Sequence, residues 1–217
     1  MKIGVLGTGD VGHVLAAGLA GCGHDVMIGT RDPDAAKMTD WLGGQGRGVA
    51  AGNFAEAAAF GELLILAIGW PHVQKVIELA GPEHFAGKVV LDTTNPLHFE
   101  AEGKPPVLAI GYTDSAGESV QRWLPDARVV KAFNTVGNPH MVDPDFPDGR
   151  PDMFICGNDA AAKQTAGRLI EELGWPPVID LGEIENSRYL EPLAMVWIVH
   201  FFNNGFDGNH AFKLLRK

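Results

Sequence analysis

Near the N-terminus, Gly7-Thr8-Gly9-Asp10-Val11-Gly12 places glycine at three fixed spacings. Glycines so spaced let a chain leave a strand through a tight turn, approach a phosphate with bare backbone, and enter a helix packed close to the strand. The helix N-terminus then offers unpaired N–H groups and partial positive charge to a diphosphate. Alone the pattern is weak, because the chain holds 28 glycines and an ordinary tight turn uses the same residues. Here a β-branched run, KIGVLG, precedes it and a helical pattern with small residues on one face, VGHVLAAGLAGCG, follows. In that context the six residues read as a dinucleotide site.

A second run, DVMIG, ends at Gly29, where a site for NAD places Asp or Glu to hold the ribose 2′-hydroxyl. Thr30 and Arg31 stand there instead. A carboxylate would repel a 2′-phosphate, whereas a hydroxyl and a guanidinium bind one. The expected cofactor is therefore NADP(H). Arg31 could also be a solvated surface arginine, but its position favours phosphate. Asp32 is the rival for the missing acid; beside Pro33 it reads as the N-cap of a following helix.

In open parallel sheets, ligands lie beyond the carboxyl ends of the strands. Three further loops meet that description: Ile68-Gly69-Trp70-Pro71, Thr93-Thr94-Asn95-Pro96 and Ala132-Phe133-Asn134-Thr135. Trp70 and Phe133 offer flat apolar surfaces, and Asn95 and Asn134 offer amide groups. Each alone could serve as edge cover or turn closure. Together they suggest an apolar slot with few ionisable groups. Oxidation of an alcohol needs a positioned proton relay, while hydride transfer between two flat rings needs mainly stacking and alignment. The slot suits the second, so no side chain is assigned as a catalytic acid or base.

These loops must be held by a scaffold. Short β-branched runs alternate with helical patterns, and LLILAIG (63–69) is a continuous apolar run of the kind buried on both faces of a parallel sheet. The expected fold is α/β, a Rossmann-type doubly wound parallel sheet with a small C-terminal α/β extension. Residues 136–151 carry four prolines together with Asp143, Asp145 and Asp148, and read as a surface loop. The seam is placed there: residues 1–140 form the NADP-binding domain, and 141–217 an extension with the acceptor site and a dimer contact. That extension holds a strand (153–157), a helix (160–173), a strand (178–181) and an apolar helix from about Arg188 to Phe202.

Two other segments imitate functional loops. GPEHFAGKV (81–89) has one residue too many for a phosphate loop and precedes a strand; DPDFPDG (143–149) misplaces its third acid and its glycine for a calcium loop. The eight histidines show no metal-ligand spacing, so no metal is expected. His200, in an apolar helix, reads as a core histidine, and Ser115 as a helix cap.

A formal charge of −10 argues against nucleic-acid or anionic-membrane partners. Cys22 and Cys156 fit a reduced setting and read as small buried hydrophobes. The N-terminal apolar run is broken by glycines and makes a poor signal peptide. The most apolar stretches are shorter than the roughly 20 residues of a spanning helix. The expectation is a cytoplasmic protein.

IGVLGTGDVG, IGTRDP, VVKAFNT, FICGND and IENSRYLEPLAMVWI together resemble the NADPH-dependent reductases of coenzyme F-420, an 8-hydroxy-5-deazaflavin. The resemblance spans nearly the whole chain and extends to the reductase domain of membrane metalloreductases. It implies hydride transfer between NADPH and a deazaflavin or flavin. By that likeness, Thr8–Gly12 hold the diphosphate and Thr30 and Arg31 the 2′-phosphate. Ile68, Gly69, Trp70 and Asn95 take the nicotinamide side. Ala132–Asn134 and the Asn203–Gly208 tail, with Gly205, approach the second ring beside Trp70 and Pro96. The likeness also implies a homodimer through C-terminal parts. The tail FNNGFDGNHAFKLL departs from the family in its asparagines and Asp207. The competing readings are a small-substrate reductase of the imine or hydroxyacid type, which usually carries a lysine on its second-domain helix, and a non-catalytic NADP(H)-binding sensor.

Overall fold

The run Leu63–Leu66 is buried at every position, which only a central strand covered on both faces permits. It is the centre of the sheet in the computed structural model, which describes residues 1–215 and 217. In chain order the first half comprises β1 (Lys2–Leu6), α1 (Asp10–Gly21), β2 (Asp25–Thr30), α2 (Ala36–Gly43), β3 (Val49–Asn53), α3 (Phe54–Phe60), β4 (Leu63–Leu66) and α4 (Val73–Ala80). The second half comprises β5 (Val89–Asp92), the ribbon strands β6 (Leu97–His98) and β7 (Val107–Leu108), α5 (Ala116–Trp123), β8 (Arg128–Lys131), β9 (Phe154–Gly157), α6 (Ala160–Glu172), β10 (Ile179–Asp180) and α7 (Ser187–Asn203).

Eight strands form one sheet in the order β10-β9-β8-β5-β4-β1-β2-β3. The six strands from β3 to β8 are parallel; β9 joins β8 antiparallel, and β10 runs parallel to β9. The order reverses between β1 and β4, the switch point where a crevice opens at the strand ends. The C-terminal segment thus lengthens the same sheet. Helices cover both faces, with α1 and α6 packed in one apolar cluster and α3, α4 and α5 in the other.

Local chemistry accounts for most element starts. Asn53 and Glu56 form a reciprocal capping box on α3, and the Ser115 hydroxyl accepts from Glu118 N on α5, as expected. Asp32 does not cap a helix. Its carboxylate closes a turn by accepting from Asp34 N at 3.2 Å, and α2 begins only at Ala36. Between β5 and α5, Leu97–His98 and Val107–Leu108 pair as the short antiparallel β6–β7 ribbon. The 136–151 loop is anchored to the core, with Met141 buried and its carbonyl accepting from Trp175 Nε1 at 2.9 Å.

Two burial expectations fail. Cys156 is buried, but Cys22 sits exposed just past α1 and donates to Glu172 O. His200 is exposed as well, because α7 buries only Ser187, Leu190, Glu191 and Ala194. Among the described residues no helix is long and apolar enough to cross a membrane.

His13, in the first turn of α1, stacks on Trp41 of α2 with ring centroids 4.2 Å apart. Its Nε2 is buried without a partner. Burial pushes the imidazole below its ordinary 6.5, against the opposing attraction of Asp10. A base whose folded pKa is lowered takes its proton first in the unfolded chain, so stability is full above about pH 6.5 and falls as pH drops through that range. Urea midpoints measured from about pH 7.5 to 5.5 should therefore decline more steeply for the protein than for His13→Asn; equal slopes would contradict this origin.

Candidate functional site

Two glycines of the turn meet steric demands, and the third leaves open space. Gly7 has φ of +121°, and a Cβ there would lie 2.2 Å from Ala67 O. At Gly12 a Cβ would lie 2.0 Å from Gly7 O, so any side chain would push α1 off the turn. At Gly9, the N-cap of α1, a Cβ would meet nothing within 4 Å. Open space beside bare backbone at a helix N-terminus is the cradle that a diphosphate needs. The residues present therefore fit a dinucleotide.

From this turn a cleft of about 280 Å³ runs toward the end of β2. Gly7, Thr8, Gly9 and Arg31 line it, with Phe54, Ile68, Val76 and Leu79 as apolar walls. Thr30 stands next to Arg31, half-buried, and its Oγ1 accepts from Asp32 N at 3.4 Å. Among the described residues no carboxylate lines this cleft. His72 and Lys75 do line it; strand-end reasoning overlooked both because they come from the start of α4. Their spacing from Val76 and Leu79 follows one helical face, which was the available signal.

A second cleft of about 830 Å³ shares Gly9, Ala67, Ile68 and Gly69 with the first. The two form one channel along the carboxyl ends of β1, β4 and β5. Asp10, Val11, Trp70 and Asn95 line the second part as expected, joined by Thr93, Thr94, Leu97, His98, Phe99 and Asn138. Trp70 stacks on Trp123 with centroids 5.5 Å apart, which fixes its ring at the cleft wall. Asn134 stands behind Asn95. Asn95 Nδ2 donates to Asn134 O at 2.8 Å, and Asn134 Nδ2 donates to Asn95 Oδ1 and to Leu190 O, each at 3.0 Å.

Other expected members lie elsewhere. Phe133, at φ +60°, turns its ring into the core against Trp175, 6.3 Å away edge-on, and offers no face to the cleft. Ala132 and Pro96 are buried and do not line it. Gly205 lies beyond α7, exposed at φ +70°, outside the cleft lining. Its neighbour Phe206 borders an adjoining groove with Phe99 and Phe202. The slot also holds more ionisable groups than expected, since Asp10 and His98 line it.

Behind the Thr93–Asn95 loop lies Lys131, fully buried at the end of β8. Its ammonium is 2.6 Å from Asp92 Oδ2 and 3.0 Å from Glu191 Oε1, and donates to Thr94 O at 2.8 Å. Burial alone pulls its pKa down; the attraction of Asp92 and Glu191, with their hydrogen bonds, outweighs this and raises it. Glu191 reaches in from α7 and accepts from Ala116 N and Gly117 N at the start of α5, each at 3.0 Å. Asp92 accepts from Thr94 N at 2.9 Å.

A switch-point cleft with this turn defines a dinucleotide-binding fold. A family described as NADP oxidoreductase, coenzyme F420-dependent, matches residues 2–96. The F420-dependent NADP reductase of Methanocaldococcus jannaschii is 32% identical over 207 residues, covering 91% of each chain. Metalloreductase STEAP3 of Rattus norvegicus is 29% identical over 195 residues, which is 89% of this chain but 36% of that protein's length. The crystal structure of an Arthrobacter protein, 43% identical, matches over the whole of both chains with a TM-score of 0.93. The chain belongs to the coenzyme F420-dependent NADP oxidoreductase family. It is an oxidoreductase, and NADP(H) is its cofactor.

Removing the buried cation should be severe. Lys131→Met leaves Asp92 and Glu191 facing each other without compensation, and breaking a buried pair this way destabilises by about 3–5 kcal/mol. Urea unfolding should show that loss, with partial recovery when Asp92→Leu and Glu191→Leu are added. A single variant within about 1 kcal/mol of the parent would mean the network is not holding the loop.

Proposed function

We propose that this chain transfers a hydride between NADPH and a flat tricyclic acceptor, coenzyme F-420 or a flavin. The carrying observation is a pair of adjoining clefts sharing Gly9, Ala67, Ile68 and Gly69, one with a carboxylate-free, basic end at β2 and a wider one walled by Trp70 and Phe99. Thr8–Gly12 hold the diphosphate by backbone, Thr30 and Arg31 the 2′-phosphate, and Ile68–Trp70 with Asn95 the nicotinamide. Asn134 positions Asn95. The named activity of the Methanocaldococcus relative supports coenzyme F-420 as the acceptor. NADPH supplies the hydride; the protein's part is to align two rings and keep water out.

The chain is also proposed to work as a homodimer. Tyr189 (71% exposed), Val196 (59%) and Val199 form an apolar stripe at helical spacing on the outer face of α7. A second copy presenting the same stripe would bury it isologously. Val196→Lys should shift the sedimenting species to monomer at micromolar concentration; an unchanged dimer would move the interface elsewhere.

His98 at the wider cleft favours one second reading, a small-substrate reductase with a histidine as proton donor. Anaerobic mixing with NADPH separates the two. Loss of the visible band of coenzyme F-420 or FMN, unaffected by His98→Ala, supports ring-to-ring transfer. Turnover of a cyclic imine, abolished by the same substitution, supports the alternative. Arg31→Ala should weaken NADPH binding by roughly tenfold to a hundredfold and barely change NADH binding. Equal losses for both would remove the 2′-phosphate assignment.

A further inference from the structure

We propose that Lys75 is a second cation on the 2′-phosphate, reaching it from α4 across the cleft from Arg31. The inference rests on the reading that this cleft holds the adenosine end of NADP(H), and it names a specificity-determining residue outside the β2 strand end. Lys75 lines the same cleft as Arg31, Thr8 and the glycine turn. His72, Lys75, Val76 and Leu79 turn one face of the helix and its lead-in toward the channel. Val76 and Leu79 give that face an apolar part suited to adenine, and Lys75 gives it charge.

The electrostatic setting favours this use. The chain carries a net charge of −10, yet among the described residues no acid lines this cleft. The Asp32 carboxylate is turned onto Asp34 N in its own turn. In the structure Lys75 Nζ pairs with Glu78 Oε2 at 3.1 Å, with both side chains more than half exposed. An exposed pair of this kind contributes little. A phosphate monoester carries about −1.5 to −2 charge near neutral pH and outcompetes one solvated carboxylate. Glu78 is then the resting partner, set one turn-neighbour away on the solvent side. Arg31 supplies a planar fork and Lys75 a mobile point charge, so the two cations approach the phosphate from opposite walls.

Titration with two adenosine fragments, 2′,5′-ADP and 5′-AMP, tests this without nicotinamide, acceptor or turnover. Lys75→Ala should weaken 2′,5′-ADP by about five- to tenfold and leave 5′-AMP within about twofold. The salt dependence of 2′,5′-ADP binding should become shallower in the same variant. Glu78→Gln should tighten 2′,5′-ADP by frees of competition, while Lys75→Arg should retain most of the preference. If Lys75→Ala weakens both fragments equally, or neither, the proposal is overturned and Lys75 is at most part of the adenosine wall. The underlying NADP(H) reading fails differently: there the unaltered protein would show no preference for 2′,5′-ADP over 5′-AMP.

Discussion

Lys131 cannot be buried alone. An ammonium removed from water loses several kcal/mol even after the protein relaxes, so its site must bring acceptors from wherever the chain can supply them. Here they come from three elements: Asp92 at the end of β5, the Thr94 carbonyl in the loop that follows, and Glu191 on α7. The two carboxylates exceed the single cation by one negative charge. The N–H groups at the start of α5 that have no partner within the helix, donating to Glu191 from Ala116 and Gly117, offset that excess. Sheet, loop, α5 and α7 are thereby fixed relative to one another by a single set of contacts, and the wider cleft takes its shape from where that set places Thr94 and Asn95.

The other end of the channel is held by steric exclusion instead of charge. Gly7 and Gly12 bring the turn, β4 and α1 so close that added carbon would overlap a carbonyl oxygen at each position. The result is a tightly packed backbone cradle, and the fit it offers a diphosphate owes little to side chains. At its margin stand residues that are not locked into the core, the exposed Arg31 and the half-buried Thr30, to which the proposed function gives cofactor selectivity. A dense interior and an adjustable rim are compatible because Arg31, on the rim, faces solvent and not the core.

That division explains what was legible in the amino-acid sequence. The glycine turn, the buried β4 run, the Ser115 start and the basic end of β2 depend on neighbours in the chain, and local pattern reveals them. Lys131 was visible only as the fourth residue of a β-branched run, since nothing near it signals that Asp92 and Glu191 converge on it. Phe133 looked like a cleft residue because it follows a strand, but its positive φ swings the ring into the core beside Trp175. Cys22 and His200 were misplaced for the same reason in reverse. Composition marks such residues as core, whereas exposure is decided by which helix face the rest of the fold leaves uncovered.

Glu191 also gives α7 two duties that cannot be separated. Its inner face carries the carboxylate that holds Lys131, and Leu190 beside it accepts from Asn134, the residue that steadies Asn95. Its outer face carries the apolar stripe of Tyr189, Val196 and Val199. A helix rotated to improve packing on the outer face would withdraw Glu191 and Leu190 from the inner one, and the loop bearing Thr94 and Asn95 would follow. The cofactor end has no such dependence, because its cradle is closed by β1, β4 and α1 alone. Changes on α7 therefore act on the Thr94–Asn95 side of the cleft through Lys131 and Asn134, while the glycine turn stays as it is.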